Sequence, residues 1–216
     1  MSKCVFPVFP IIGMSPGNSY FKDEQVTYLL SQMIQSYGRA AVFVPDVPAI
    51  STYLALGYPL SRAKEKAMSK GRNLKNRARK CAERLCIAEE KIRLIDWSKE
   101  IEGMPQYREA YSHIEHLYNE HLDFQREANA ATLDVLLHMK DSLQNIDDST
   151  RKGVEYLLSE LAFFAIAPSL LGAKKTVAVY HHPWPIYTNY IAGIYDGEPK
   201  ISLDFLLLPH PNFAHI

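Results

Sequence analysis

With 216 residues, 47% hydrophobic and 22% charged, the chain is long enough to bury one good core and too ordinary in composition for a disordered or fibrous protein. Its three cysteines, Cys4, Cys81 and Cys86, have no C-x-x-C spacing, which argues against a disulfide framework or a zinc ribbon and leads to the expectation of a reducing, cytoplasmic compartment. Basic and acidic residues number 24 each, but the segment from Arg62 to Arg84 holds ten of the basic ones against two glutamates, so the rest of the chain is acidic.

A first strand is expected over Cys4–Met14, an apolar stretch that carries Pro7 and Pro10 and lacks the cleavage site of a signal peptide. Val26, Leu29, Leu30, Met33, Ile34 and Tyr37 then recur at helical spacing until Gly38 stops the helix. Ala41–Val44 reads as a second strand, and Asp46 with Pro48 as the cap and first turn of a short helix closed by Gly57. The basic segment follows as a long helix with a narrow apolar stripe of Ala67, Leu74, Ala78, Cys81 and Leu85. Ile92–Ile95 is the third strand. Pro105 opens a helical stretch to about Met139, and Asp147, Asp148 and Ser149 offer caps for a helix ending near Pro168. Thr176–His181 and Leu203–Leu208 are the last two strands, and no run reads as long enough to span a membrane. This alternation predicts a single α/β domain over 1–216, an open Rossmann-like fold with a mostly parallel sheet flanked by helices.

The first strand ends in GMSPG, which fits the G-x-S-x-G frame of a hydrolase elbow around Ser15. An α/β-hydrolase needs an earlier loop to complete its oxyanion hole, and the fourteen residues before Ser15 leave no room for one. A serine at the carboxyl edge of a parallel sheet still stands where such sheets bind ligands. Its plain alternative is a turn that caps the first helix.

Tyr156 and Glu160 stand four apart and share a helix face inside the apolar run YLLSELAFFAIAP. Buried there, the carboxylate needs a cationic partner such as a substrate amino group; otherwise it lies on the solvated side with Glu155. Tyr180 and His181 end the VAVYHH strand at the same edge. On the basic helix, Arg72, Lys75 and Arg79 share a face with Arg77, Lys80 and Arg84 beside them, a rod suited to phosphates. With no aromatic residue interleaved, a nucleic-acid duplex backbone is favoured over stacked bases. His113, His116 and Glu120 have metal-ligand spacing but read as a polar helix face, so no metal is expected.

IIGMSPGNSYF, the polybasic helix, PQYREA at 105–110, EYLLSELAFF at 155–164 and VAVYHHPWP at 177–185, in that order, resemble the cyclodipeptide synthase family over nearly the whole chain. Asn18, Tyr180 and His181 are similar to its Asn-Tyr-His branch. The resemblance implies an aminoacyltransferase that uses two aminoacyl-tRNAs, on a fold similar to the catalytic domains of tyrosyl- and tryptophanyl-tRNA synthetases. It further implies no cofactor, no DNA or membrane partner, and a monomer. Ala67-Met68-Ser69-Lys70 echoes the mobile KMSKS loop of those synthetases, but it falls inside the basic helix.

By that resemblance Ser15 takes the first aminoacyl group as an ester, Tyr156 and Glu160 hold its ammonium, and Tyr156 handles protons. Tyr180 relays a proton, His181 orients Tyr180, Gly13 lets backbone approach the ester, Asn18 positions the turn and Tyr107 lines the site. The first side-chain pocket is implied to include Ile11, Gly13, Val42, Val44, Trp97, Phe163 and Ala178. The second would include Asp134, His138 and Trp184. Arg72, Lys75, Arg77, Arg79, Lys80 and Arg84 would grip the first tRNA. Two other classes stay open at this point: a non-catalytic RNA-binding domain and a small serine esterase.

Overall fold

A computed structural model describes residues 6–180, 184–195 and 203–207, with the side chains of Tyr180, Phe205 and Leu207 outside that description. Five parallel strands form one sheet in the order β3-β2-β1-β4-β5: β1 Phe6–Gly13, β2 Ala40–Phe43, β3 Ile92–Ile95, β4 Ala173–Tyr180 and β5 Leu203–Leu207. Parallel strands need helical crossovers, and long apolar runs suit strands covered on both faces. The crossovers are α1 (Asp23–Tyr37), α2 (Ala49–Ala55), α3 (Leu60–Arg84), α4 (Pro105–Glu120), α5 (Leu122–Met139), α6 (Ile146–Leu171) and α7 (Pro185–Ile191).

Strand alternation sends side chains to two different cores. Ile12, Met14, Val42 and Val44 meet Val26, Leu30 and Met33 of α1 and Leu74, Ala78 and Cys81 of α3. Ile11, Ala41, Phe43 and Ala178 meet α6, where the rings of Phe43 and Phe163 stack with centroids 3.6 Å apart. The chain builds β2 and β3 on one side of β1 and then crosses to β4 on the other. That reversal leaves a crevice at the carboxyl ends of β1 and β4.

Several boundaries differ from the sequence expectation for identifiable reasons. Asp46 does not cap α2, whose N-cap is Pro48; its carboxylate accepts from Val47 N–H and from Lys75. The helical stretch from Pro105 breaks at His121, which takes an extended conformation (φ −110°, ψ 104°) and separates α4 from α5. Helix α6 starts at a cap from Asn145, whose Oδ1 accepts Asp148 N–H, and runs past Pro168 to Gly172. It is also long and apolar enough to cross a membrane, contrary to the reading of the sequence, yet it packs at the centre of the fold against α2, α4, α5 and the sheet. A short π-helical turn, Trp97–Ile101, and α7 were not expected. The Cys4 end of the first strand, Leu208 and His181 lie outside the described residues.

Helix α3 crosses the segment after β2 so closely that a Cβ on Gly71 would lie 2.4 Å from Asp46 Cβ. Alanine at Gly71 gains about 1 kcal/mol of helix propensity, but it collides with a side-chain stem that cannot swing away. The expected net result is a destabilisation of about 1–3 kcal/mol, read as a lowered Tm in a thermal melt.

Candidate active site

Ser15 follows β1 at the crevice. Its carbonyl accepts Asn18 N–H (3.1 Å) across a Pro16-Gly17 turn, and Gly17 takes φ 95°, which glycine adopts without strain. Asn18 Oδ1 accepts Tyr20 N–H at 2.9 Å and so fixes the far side of the turn. The turn forms one wall of a cavity of about 620 Å³. Facing it are Tyr156 and Glu160 from α6, Asp134, Val135, His138 and Met139 from α5, and Trp184 and Tyr187 at the start of α7.

The hydroxyls of Tyr156 and Ser15 share a hydrogen bond of 2.9 Å. Either hydroxyl can donate, so the pair can pass a proton in both directions. Glu160, one turn further along α6, is 2% exposed and accepts from the hydroxyl of Tyr187. Its Oε1 lies 3.8 Å from the position of a Cβ on Gly13. The cavity thus sets a buried carboxylate beside a serine–tyrosine pair, an arrangement suited to a cation and an acyl carbon bound together.

The other expected residues divide into three groups. Asp134, His138 and Trp184 line this same cavity, with His138 Nδ1 3.5 Å from the Asp134 carboxylate. Ile11, Ala178, Trp97 and Phe163 are buried together in the α6-side core and do not line it. Val42 and Val44 point to the opposite face of the sheet, against α1 and α3; the residues of β2 that face Phe163 are Ala41 and Phe43. The expected set was one residue out of register there, and in a strand a one-residue shift changes the face.

Tyr107 is buried edge-on against Trp97 and does not line the cavity. Burial pushes its phenol up to about 12, and Tyr20 likewise. A phenol whose folded pKa is raised contributes stability that is complete below pH 10 and is lost as pH rises toward 12. Alkaline denaturation is therefore expected in that window, and Tyr107→Phe should shift its midpoint upward in a pH-dependent melt. Tyr180 ends β4 opposite Leu207 in the sheet; its side chain and all of His181 lie outside the described residues.

On α3, Arg72, Arg79 and Lys80 are exposed. Lys75, expected to meet a phosphate, is tied to Asp46 at 2.8 Å and lies 3.6 Å from Asp96, with side-chain exposures of 13% and 3% for the closer pair. Arg77 and Arg84 both reach Asp23, and Arg77 also donates to the Phe21 carbonyl. The Arg77 hydrogen bond, with Arg84 beside it, holds the Asp23 carboxyl below its usual range. Sequence reasoning missed Tyr187 and the pairing of Asp23, Asp46 and Asp96 with α3. A buried glutamate that needs a donor was the one available signal for Tyr187.

A family model described as cyclodipeptide synthase matches residues 9–200. The chain belongs to the cyclodipeptide synthase family. Members of this family make cyclic dipeptides from aminoacyl-tRNAs. A cyclo(L-leucyl-L-leucyl) synthase of Bacillus subtilis is 25% identical over 214 residues, 95% of this chain and 80% of that protein. A cyclo(L-leucyl-L-phenylalanyl) synthase of Streptomyces noursei is 25% identical over 82% of this chain and 74% of its own length. Among solved structures, a cyclodipeptide synthase from Bacillus thermoamylovorans superposes with a TM-score of 0.82 at 22% identity, covering 94% of this chain and 89% of that one. A Mycobacterium tuberculosis structure (TM-score 0.74, 21% identity, 91% and 83% coverage) is described as relating these enzymes to type I tRNA synthetases.

Proposed function

We propose that this cyclodipeptide synthase works through a covalent aminoacyl ester on Ser15. The observation that carries the reading is the 2.9 Å contact between Ser15 and Tyr156 beside the buried carboxylate of Glu160. In the first step Ser15 Oγ bonds to the acyl carbon of the first aminoacyl-tRNA, the bond to the tRNA 3′-oxygen breaks, and the serine proton passes to that oxygen. One ester replaces another, so no ATP is needed. Glu160 holds the ammonium of the acyl group.

In the second step the amino group of a second aminoacyl-tRNA attacks the serine ester. An amide forms, the bond to Ser15 Oγ breaks, and the proton that the attacking amine loses passes through Tyr156 to Ser15 Oγ. The free amine of the resulting dipeptidyl-tRNA then attacks its own ester, which closes the ring and releases the tRNA. Tyr180 and His181 would relay and orient the proton in this closure, and Asn18 with them would place the chain in the Asn-Tyr-His branch. The Asp134–His138 edge of the cavity favours a polar side chain on the second residue. The exposed Arg72, Arg79 and Lys80 would meet the first tRNA.

The test is expression in a bacterial host with an empty-vector control and mass spectrometry of the medium. A diketopiperazine made by the wild-type protein and lost in Ser15→Ala, expressed alongside, supports the reading and names both side chains. Soluble protein with abundant charged tRNA and no such product would overturn it.

A further inference from the structure

Glu160 can hold an ammonium only if its own carboxylate is kept charged and correctly turned, and burial opposes the charge. One hydrogen-bond donor that serves this is in place. It comes from α7, where the Tyr187 hydroxyl donates to Glu160 Oε2 while Oε1 is the oxygen near Gly13. Tyr187 is itself 3% exposed, and its ring meets Phe164 edge-on at 6.1 Å, which holds the ring in place.

Helix α7 is in turn tied down from α5. Asn189 donates to both oxygens of Glu127 at 3.0 and 2.9 Å, and the Tyr195 hydroxyl donates to Glu127 Oε2 at 2.5 Å. These bonds lie on the far side of α7 from the cavity; none of Glu127, Asn189 and Tyr195 lines it. A seven-residue helix has little stability of its own, so such anchors decide where it sits.

We infer that Tyr187 is the positioning residue of Glu160, orienting the carboxylate toward the aminoacyl ammonium, and that the Glu127–Asn189–Tyr195 cluster holds Tyr187 in place. This rests on the reading of Glu160 as the ammonium site. It extends the machinery of the site to Glu127, Asn189 and Tyr195, none of which lines the cavity.

Tyr187→Phe keeps the ring against Phe164 and removes only the donor. Product formation should fall about tenfold near pH 7, the scale of one hydrogen bond to a charged group. The acidic limb of its pH profile should move up by about one unit, because a carboxylate that loses a donor is protonated more easily. Among the described residues, the other titratable groups lining the cavity are Tyr156 on α6 and Asp134 and His138 on α5, and none of them is altered in this variant. A role in packing alone would lower the rate without moving the limb.

Glu160→Gln is measured alongside. If it is inactive while Tyr187→Phe keeps the wild-type rate and limb, the inference fails and the reading of Glu160 stands. If Glu160→Gln is fully active, both fail. Should Tyr187→Phe not fold, Glu127→Ala is measured in the same way: an upward shift of the limb supports the inference, and an unmoved limb overturns it.

Discussion

Alanine at Ser15 is expected to reduce cyclic dipeptide formation by at least about 10³-fold, in line with the loss of a nucleophile in other covalent enzymes. The protein should remain folded and should bind tRNA as before. Ser15 is only half-buried, and among the described residues its side-chain hydrogen bond is with the hydroxyl of Tyr156. Losing that bond costs about 1 kcal/mol, and water can reach the partner left behind. The chemistry has no such substitute. Without Oγ there is no atom to take the acyl group, and the only route left is direct attack of one aminoacyl-tRNA on another. Intact-mass spectrometry after mixing with aminoacyl-tRNA reads the step directly: wild type gains the mass of one aminoacyl group and Ser15→Ala gains none. Equal product from both proteins would remove the serine ester from the mechanism. Loss of tRNA binding in the alanine variant would mean that the substitution had disturbed more than the nucleophile.

What the sequence made legible was mostly local. The sheet could be read because parallel strands are continuous apolar runs with helices between them, and Ile92–Ile95 was placed to the residue. The Tyr156–Glu160 pair could be read because both lie on one helix, four apart. The break at His121 was hidden because no glycine or proline marks it, and α7 because it is only seven residues long. The face of Val42 and Val44 was mistaken through a shift of one residue, which leaves an apolar pattern looking the same while reversing its direction. Tyr187 meets Glu160 from 27 residues away, and Lys75 meets Asp46 from 29. Pairings of this kind depend on how the crossovers pack, and no spacing encodes them.

The basic helix shows what such a hidden pairing does to function. By charge alone its cations are equivalent, but the fold makes them unequal. Lys75→Ala should destabilise the protein by about 3–5 kcal/mol, because it leaves the Asp46 carboxylate, 3% exposed, buried without its cation. Its weakened product formation should then follow the unfolded fraction, and tRNA affinity per folded molecule should be unchanged. Charge reversal of Arg72, Arg79 and Lys80 should do the opposite. These side chains are exposed, so the melt should stay close to wild type while tRNA affinity collapses. The slope of log K against log salt should flatten by about 0.7–0.9 for each phosphate that is no longer neutralised. Fluorescence anisotropy with labelled tRNA over a salt series, set beside thermal melts, separates the two outcomes. If Lys75→Ala instead melted normally and failed to bind tRNA, the ion pair with Asp46 would be one that tRNA displaces, and Lys75 would belong with the phosphate-binding cations after all. Arg77 and Arg84 lie between these extremes. Asp23 occupies both but is itself 53% exposed, so a phosphate can compete for them. Asp23→Asn should accordingly tighten tRNA binding, the reverse of the charge reversals at Arg72, Arg79 and Lys80.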